Sequence, residues 1–139
     1  MGIVARGALI ALSMIAFLSG AQAQDYPTRP ITIIVPYTAG GSTEILTRMV
    51  AQKLEQRLGK SVIVEVKPGA GTVIGSNLVA KAAPDGYTLM MATPTPMAIN
   101  VTLHKQLPYD PATDLTPLAL VAGAPFVLVV NSSLPVHSV

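Results

Sequence analysis

Hydrophobic and polar residues alternate along this chain in two periods. Ile31-Thr32-Ile33-Ile34-Val35 is β-branched and almost continuously apolar. A run of that kind suits a strand covered on both faces, as in a parallel sheet. Pro36 ends it. From Ser42 to Leu58 the apolar residues Ile45, Leu46, Met49, Val50, Leu54 and Leu58 recur at helical spacing, with Arg48, Lys53 and Arg57 on the other side. Gly59 follows as a left-handed terminator. Ser61–Val66 predicts a second strand. Thr72 is placed to cap a short helix running to Ala83, with Ile74, Leu78 and Ala82 facing inward. Pro84-Asp85-Gly86 turns the chain, and Tyr87–Ala92 predicts a third strand. The order is β-α-β-α-β, which requires crossover connections, right-handed by rule.

Beyond Ala92 the pattern loosens. Met97–Leu103 predicts a short helix and Leu107–Asp114 a polar, proline-bearing loop. Leu118–Val121 and Phe126–Val130 predict two more strands around Gly123-Ala124-Pro125. Before Gln24 the pattern is different. Arg6 precedes an apolar run from Gly7 to Leu18, Gly20 breaks it, and Ala21-Gln22-Ala23 matches an A-x-A processing site. That is the layout of a secretory signal peptide over residues 1–23, cleaved after Ala23. The run is shorter than the roughly 20 residues a spanning helix needs.

Composition narrows the classes. The 139 residues contain no Cys and no Trp. A disulfide scaffold, a thiolate zinc site and a thiol nucleophile are excluded. Formal charge is +2, and +1 once Arg6 is removed, with no Lys/Arg cluster. Nucleic acid is therefore not an expected partner. His104 and His137 are the only histidines and have no motif partner. Asp110 and Asp114 lie in the proline-bearing loop and read as turn-formers. No catalytic set, metal-ligand spacing or cofactor motif stands out.

In an open α/β sheet, ligands bind beyond the carboxyl ends of the strands. Three polar turns lie there. Thr38-Ala39-Gly40-Gly41-Ser42-Thr43 follows the first strand, where glycines allow close backbone approach and a helix start offers unpaired N–H groups to an anion. The alternative is an ordinary helix cap. Lys67-Pro68-Gly69-Ala70-Gly71-Thr72 follows the second strand. It lacks the Gly-Lys-Ser/Thr of a phosphate loop, and Gly69, Gly71 and Gly75 miss the G-x-G-x-x-G spacing by one residue. Thr93-Pro94-Thr95 follows the third, with hydroxyls that either bind a carboxylate or cap the next turn.

An ordered set of fragments carries a resemblance: Tyr26-Pro27-Thr28-Arg29-Pro30 before ITIIVPY, then TAGGSTE, KPGAGTVIG, AAPDGYTL, MAIN and LPYDPATDLTPLALVA. Together they closely resemble the solute receptors of tripartite tricarboxylate transporters, the Bug-type periplasmic receptors. The resemblance implies an α/β fold, the N-terminal lobe of a type II periplasmic-binding protein, with a mostly parallel sheet and flanking helices. It implies residues 24–139 as an incomplete, truncated first lobe ending near the crossover to a second one. It further implies a non-enzymatic receptor that captures a small carboxylate in the periplasm and delivers it to inner-membrane permease subunits, without a cofactor. Carried over by position, the contacts are Thr38, Ala39, Gly40, Gly41, Ser42 and Thr43; then Gly69, Ala70, Gly71 and Thr72; then Thr93, Thr95 and Ala98. Glu44 stands where such receptors usually have Asp, and Pro96-Met97 where a polar residue often precedes A-I-N. Two rival readings stay open: a small Rossmann-like nucleotide-binding enzyme using the glycine turns, and a truncated product without function.

Overall fold

The computed structural model describes residues 25–125 and 127–135. The predicted signal peptide with its cleavage site after Ala23, Phe126 and His137 lie outside the described residues. β1 is Ile31–Val35, as its composition predicts. Ile31, Ile33, Ile34 and Val35 are all at most 3% exposed, so both faces of the strand are covered. β1 is the middle of a three-stranded parallel sheet ordered β2-β1-β3, with β2 at Val62–Val66 and β3 at Thr88–Met90. Ile33 pairs with Val64 on one side and Leu89 on the other. The third strand is shorter than its apolar run, although Met91 still donates to Ile34 O at 3.0 Å.

α1 spans Ser42–Leu58, and Gly59 closes it with φ 64° and its N–H on Glu55 O. It packs against β2 and β1. The buried stripe is not the one expected. Thr47 and Ala51 are buried, while Ile45 and Met49 are 57% and 62% exposed. Small residues let the helix approach the sheet closely, and the Thr47 hydroxyl is satisfied by Thr43 O at 2.6 Å. The larger apolar side chains are left on the flank. α2, Val73–Ala80, is shorter than expected and turns in the same way. Gly75 and Ser76 face inward, and Ile74 and Leu78 are exposed. Thr72 occupies the N-cap position as expected, but its φ is +81° and its side chain makes no capping bond. Ser76 Oγ instead donates to Thr72 O at 2.9 Å.

After β3 comes a π-helical turn, Thr95–Ile99, which runs directly into α3, Asn100–Leu103. Tyr109, 4% exposed, reaches back and donates to Pro96 O at 2.9 Å. Asp110 and Asp114 do build a turn: Asp110 Oδ1 accepts from Ala112 N–H, and Asp114 Oδ2 from Asp110 N–H. The strands expected at Leu118–Val121 and Phe126–Val130 are absent among the described residues, where 118–121 and 127–130 are irregular. A strand needs a ladder partner, and the edges of β2 and β3 pair only with β1 among the described residues. Val127, Leu128 and Val129 are consequently more than three-quarters exposed.

At the amino end of the sheet, the segment before β1 is tied to the Pro84–Tyr87 turn. Tyr26 OH donates to Gly86 O at 2.7 Å, Thr28 N–H donates to the Tyr87 hydroxyl at 2.8 Å, and Arg29 pairs with Asp85 at 2.8 Å. The Arg29 guanidinium also lies 3.9 Å from the Tyr87 ring centroid. The Tyr87 N–H, and after it Arg29, hold the Asp85 carboxyl below its ordinary range.

Candidate functional site

Because all three strands are parallel, their carboxyl ends share one edge, and the loops that follow them start side by side. Direct contacts bring these loops together. A Cβ on Gly75 would lie 2.7 Å from Lys67 O and 2.8 Å from Pro36 Cβ. Gly75 thus seats α2 against the starts of the first and second loops, where any larger residue would push them apart. The Tyr37 hydroxyl shares a hydrogen bond with Thr93 Oγ1, joining the first loop to the third. Asn100, 1% exposed, donates to Gly71 O at 2.9 Å and to Thr72 Oγ1 at 3.1 Å, joining the segment beyond the third loop to the second.

In the first loop, Thr38, Ala39, Gly40 and Ser42 are exposed, and Gly41 and Thr43 are partly so. Gly40 has φ +84°, which a side chain would resist. Gly41 is the N-cap residue but supplies no side-chain cap. Glu44 reaches back past the helix start: its carboxylate accepts the Gly40 N–H at 2.7 Å and pairs with Arg48. These two partners, the Gly40 N–H first, hold the Glu44 carboxyl below its ordinary value. Its charge is balanced by Arg48, and the N–H groups of Ser42 and Thr43 belong to the helix turn that has no intrahelical acceptor.

The last four residues of the second loop all have positive φ. Gly69, Ala70, Gly71 and Thr72 have φ of 130°, 46°, 61° and 81°. Glycine takes such values freely, but Ala70 and the β-branched Thr72 do so at a cost of roughly 1–2 kcal/mol each. Ala70 and Gly71 are exposed, whereas Thr72 is 6% exposed. Its hydroxyl oxygen accepts from Asn100, so Thr72 supports the loop from within and does not line the surface. In the third loop, Thr93 and Thr95 are half-buried. Thr93 Oγ1 is engaged by Tyr37 and accepts the Thr95 N–H at 3.3 Å, and Ala98 is exposed on the π-helical turn.

The predicted residues therefore gather on one edge, with Thr72 beneath the surface and the Thr93 hydroxyl already engaged. Sequence reasoning missed Tyr37, Asn100 and the packing role of Gly75. Each left a trace without a role: Tyr37 and Asn100 close the fragments ITIIVPY and MAIN, and Gly75 is the third glycine of an imperfect motif. No group of three or more His, Asp or Glu residues among the described residues could hold a metal ion. Among them, too, no helix is long and apolar enough to cross a membrane.

A concavity of about 420 Å³ lies beside α1. It is walled by Leu46, Val50, Leu54 and Arg57 of α1 with Val121.

Comparison with known proteins places this edge in context. The family model described as tripartite tricarboxylate transporter family receptor matches residues 46–139. Protein BugT of Bordetella pertussis is 43% identical over 117 residues, covering 84% of this chain and 36% of BugT. A Bordetella bronchiseptica protein is 37% identical over 137 residues, covering 98% of this chain and 41% of its own length. The chain thus spans about two-fifths or less of the length of these curated relatives. Among solved structures, MatC of Rhodopseudomonas palustris with bound malate matches with TM-score 0.66 and 35% identity, covering 69% of this chain and 33% of that one. An R. palustris protein solved with adipate gives TM-score 0.61 and 39% identity, covering 63% and 29%. A periplasmic transporter structure gives 0.60 and 50%, covering 62% and 29%. The sheet and flanking helices are therefore part of a periplasmic-binding-protein fold, as expected, and the nucleotide-enzyme reading is not favoured. With two-thirds of its length matched by the family model and relatives aligned along most of it, this chain belongs to the tripartite tricarboxylate transporter receptor family.

Proposed function

We propose that this chain provides one wall of a receptor cleft that captures a small organic acid and performs no chemistry on it. The observation that carries the reading is the convergence of three loops on one sheet edge, tied together by Gly75, Tyr37 and Asn100. A ligand carboxylate would accept from the Ser42 and Thr43 N–H groups and from the exposed Ala70–Gly71 backbone, with Thr38, Ala39, Gly40, Gly41, Gly69, Thr95 and Ala98 shaping the approach. The family relatives solved with malate and adipate support a dicarboxylate of that size. Residues 24–139 form the first lobe, exported by the leader ending at Ala23. The permease partners are those that the family description implies.

Magnitudes set the expected strength. Three or four charge-assisted hydrogen bonds at about 1.5–3 kcal/mol each give roughly 5–10 kcal/mol. Association costs an estimated 4–15 kcal/mol. Micromolar binding requires about −8 kcal/mol net, so this wall alone should bind in the millimolar range or more weakly. The test is an NMR titration of the chain with malate, adipate and ATP. The reading expects shifts confined to residues 38–43 and 69–71 with an acid and none with ATP. Shifts with ATP alone, or acid-induced shifts scattered away from the strand ends, would defeat it.

A further inference from the structure

We infer that Asn100 is the positioning residue that holds the second loop in its left-handed form and so sets that loop's grip on a carboxylate. The inference rests on the receptor reading above and concerns a residue outside the three loops. Four consecutive residues with positive φ, two of them not glycine, do not persist without an external tie. Within the loop, Val73 N–H donates to Ala70 O and Ser76 Oγ to Thr72 O, both local bonds. The tie from outside is Asn100, whose amide uses Nδ2 twice, on Gly71 O and Thr72 Oγ1. Asn100 is 1% and Thr72 6% exposed, so that bond is sealed from water, whereas Gly71 is exposed. A buried amide that meets two acceptors in fixed geometry admits one loop conformation and penalises others, which would leave those groups unpaired.

The direction of the amide is set by the π-helical turn. Asn100 N–H reaches back five residues to Thr95 O instead of four. One extra residue rotates the downstream helix by roughly 100° relative to a regular continuation. Tyr109 fixes that turn from the other side through Pro96 O. The consequence lies at the exposed end of the loop. With the Gly71 carbonyl held inward by Asn100, the backbone N–H donors of the exposed Ala70 and Gly71 are held in one arrangement with it. If the loop relaxed to negative φ at Ala70 and Thr72, those donors would scatter. Asn100 would then control anion binding without touching the anion.

The test uses ¹⁵N-labelled full chain as wild type, Asn100→Ala and Asn100→Asp, with malate as the probe. Backbone HN–Hα couplings report φ at Ala70 and Thr72, and titration reports affinity. Both variants should keep the β1–β3 amide shifts at pH 7, lose the positive-φ couplings and lower malate affinity at least about tenfold. In Asn100→Asp at pH 3 the neutral carboxyl regains one donor, and the couplings should recover. A role in packing alone predicts no such recovery. If Asn100→Ala does not fold, Asn100→Asp decides. Wild-type couplings and affinity retained in Asn100→Ala, or in Asn100→Asp at a pH where its carboxyl is shown to be ionised, would overturn the inference. A wild-type chain whose residues 38–43 and 69–71 do not shift even at about 100 mM malate, a binding energy of only about −1.4 kcal/mol, refutes the receptor reading and the affinity claim. The couplings then still decide whether Asn100 holds the loop.

Discussion

Replacing Gly75 with alanine tests the closest approach in the fold. The new methyl would start 2.7 Å from Lys67 O and 2.8 Å from Pro36 Cβ, against an ordinary contact of about 3.5 Å or more. Neither neighbour can simply swing away. Lys67 is pinned by its N–H on Val35 O at 2.9 Å, and Pro36 is a buried ring directly after β1. The start of α2 would have to lift by about 0.8 Å to restore that ordinary contact. Overpacking of this kind costs typically about 1–3 kcal/mol, and two obstructed contacts, one of them backbone, place this case near the upper end. Alanine returns about 1 kcal/mol in helix propensity. A net loss of about 2 kcal/mol remains, equivalent to a Tm drop of roughly 8–15 °C for a domain of this size. Thermal unfolding followed by circular dichroism measures it. A Gly75→Ala chain as stable as the wild type would show that α2 does not sit on the starts of the two loops, and the shared edge would lose its main support.

Tyr109→Phe leaves the buried Pro96 carbonyl without its donor and should cost about 1–2 kcal/mol in chemical denaturation; an unchanged midpoint would show that the π-helical turn is held by other contacts. Gly59→Ala meets open space but must adopt φ 64°, so its cost of about 1 kcal/mol comes from backbone conformation alone. Mutating Gly59 to Asn, which tolerates that φ, should recover most of the loss. Glu44, Asp85 and Asp114 all have carboxyl pKa values below their ordinary 4.5, 3.8 and 3.8. A depressed carboxyl stabilises the fold above its unfolded pKa and ceases to do so as pH falls through its folded value. Tm should therefore be level from pH 7 to about 5 and fall below about 4, and Glu44→Gln should flatten part of that fall. Arg29→Ala removes both the Asp85 pair and the stacking on Tyr87; it should lower Tm by less than Gly75→Ala and lessen the salt dependence of stability.

Short-range pattern was enough for the elements whose reasons are local. β1 follows from five consecutive β-branched or apolar residues, and α1 from its period and the glycine that ends it. The edge that carries the candidate site was equally legible, because three parallel strands joined by helices bring their following loops to one side. Which helix face is buried depended on something the pattern does not encode. Thr47, Ala51, Gly75 and Ser76 face the sheet because small residues permit close approach, while Ile45, Met49, Ile74 and Leu78 remain exposed. The apolar run at 127–130 reads as a strand by composition, yet a ladder requires a neighbour, and composition does not supply one.

The sequence by itself determined the family, the strand-helix order and the glycine turns, since each depends on residues near one another in the chain. Only the tertiary structure decided that Tyr37 meets Thr93, that Asn100 holds Gly71 and Thr72 from 29 and 28 residues away, and that Gly75 lets two loops close up. The physical reason is that a buried hydrogen bond or a forbidden methyl depends on where distant backbone arrives, and no local preference records that.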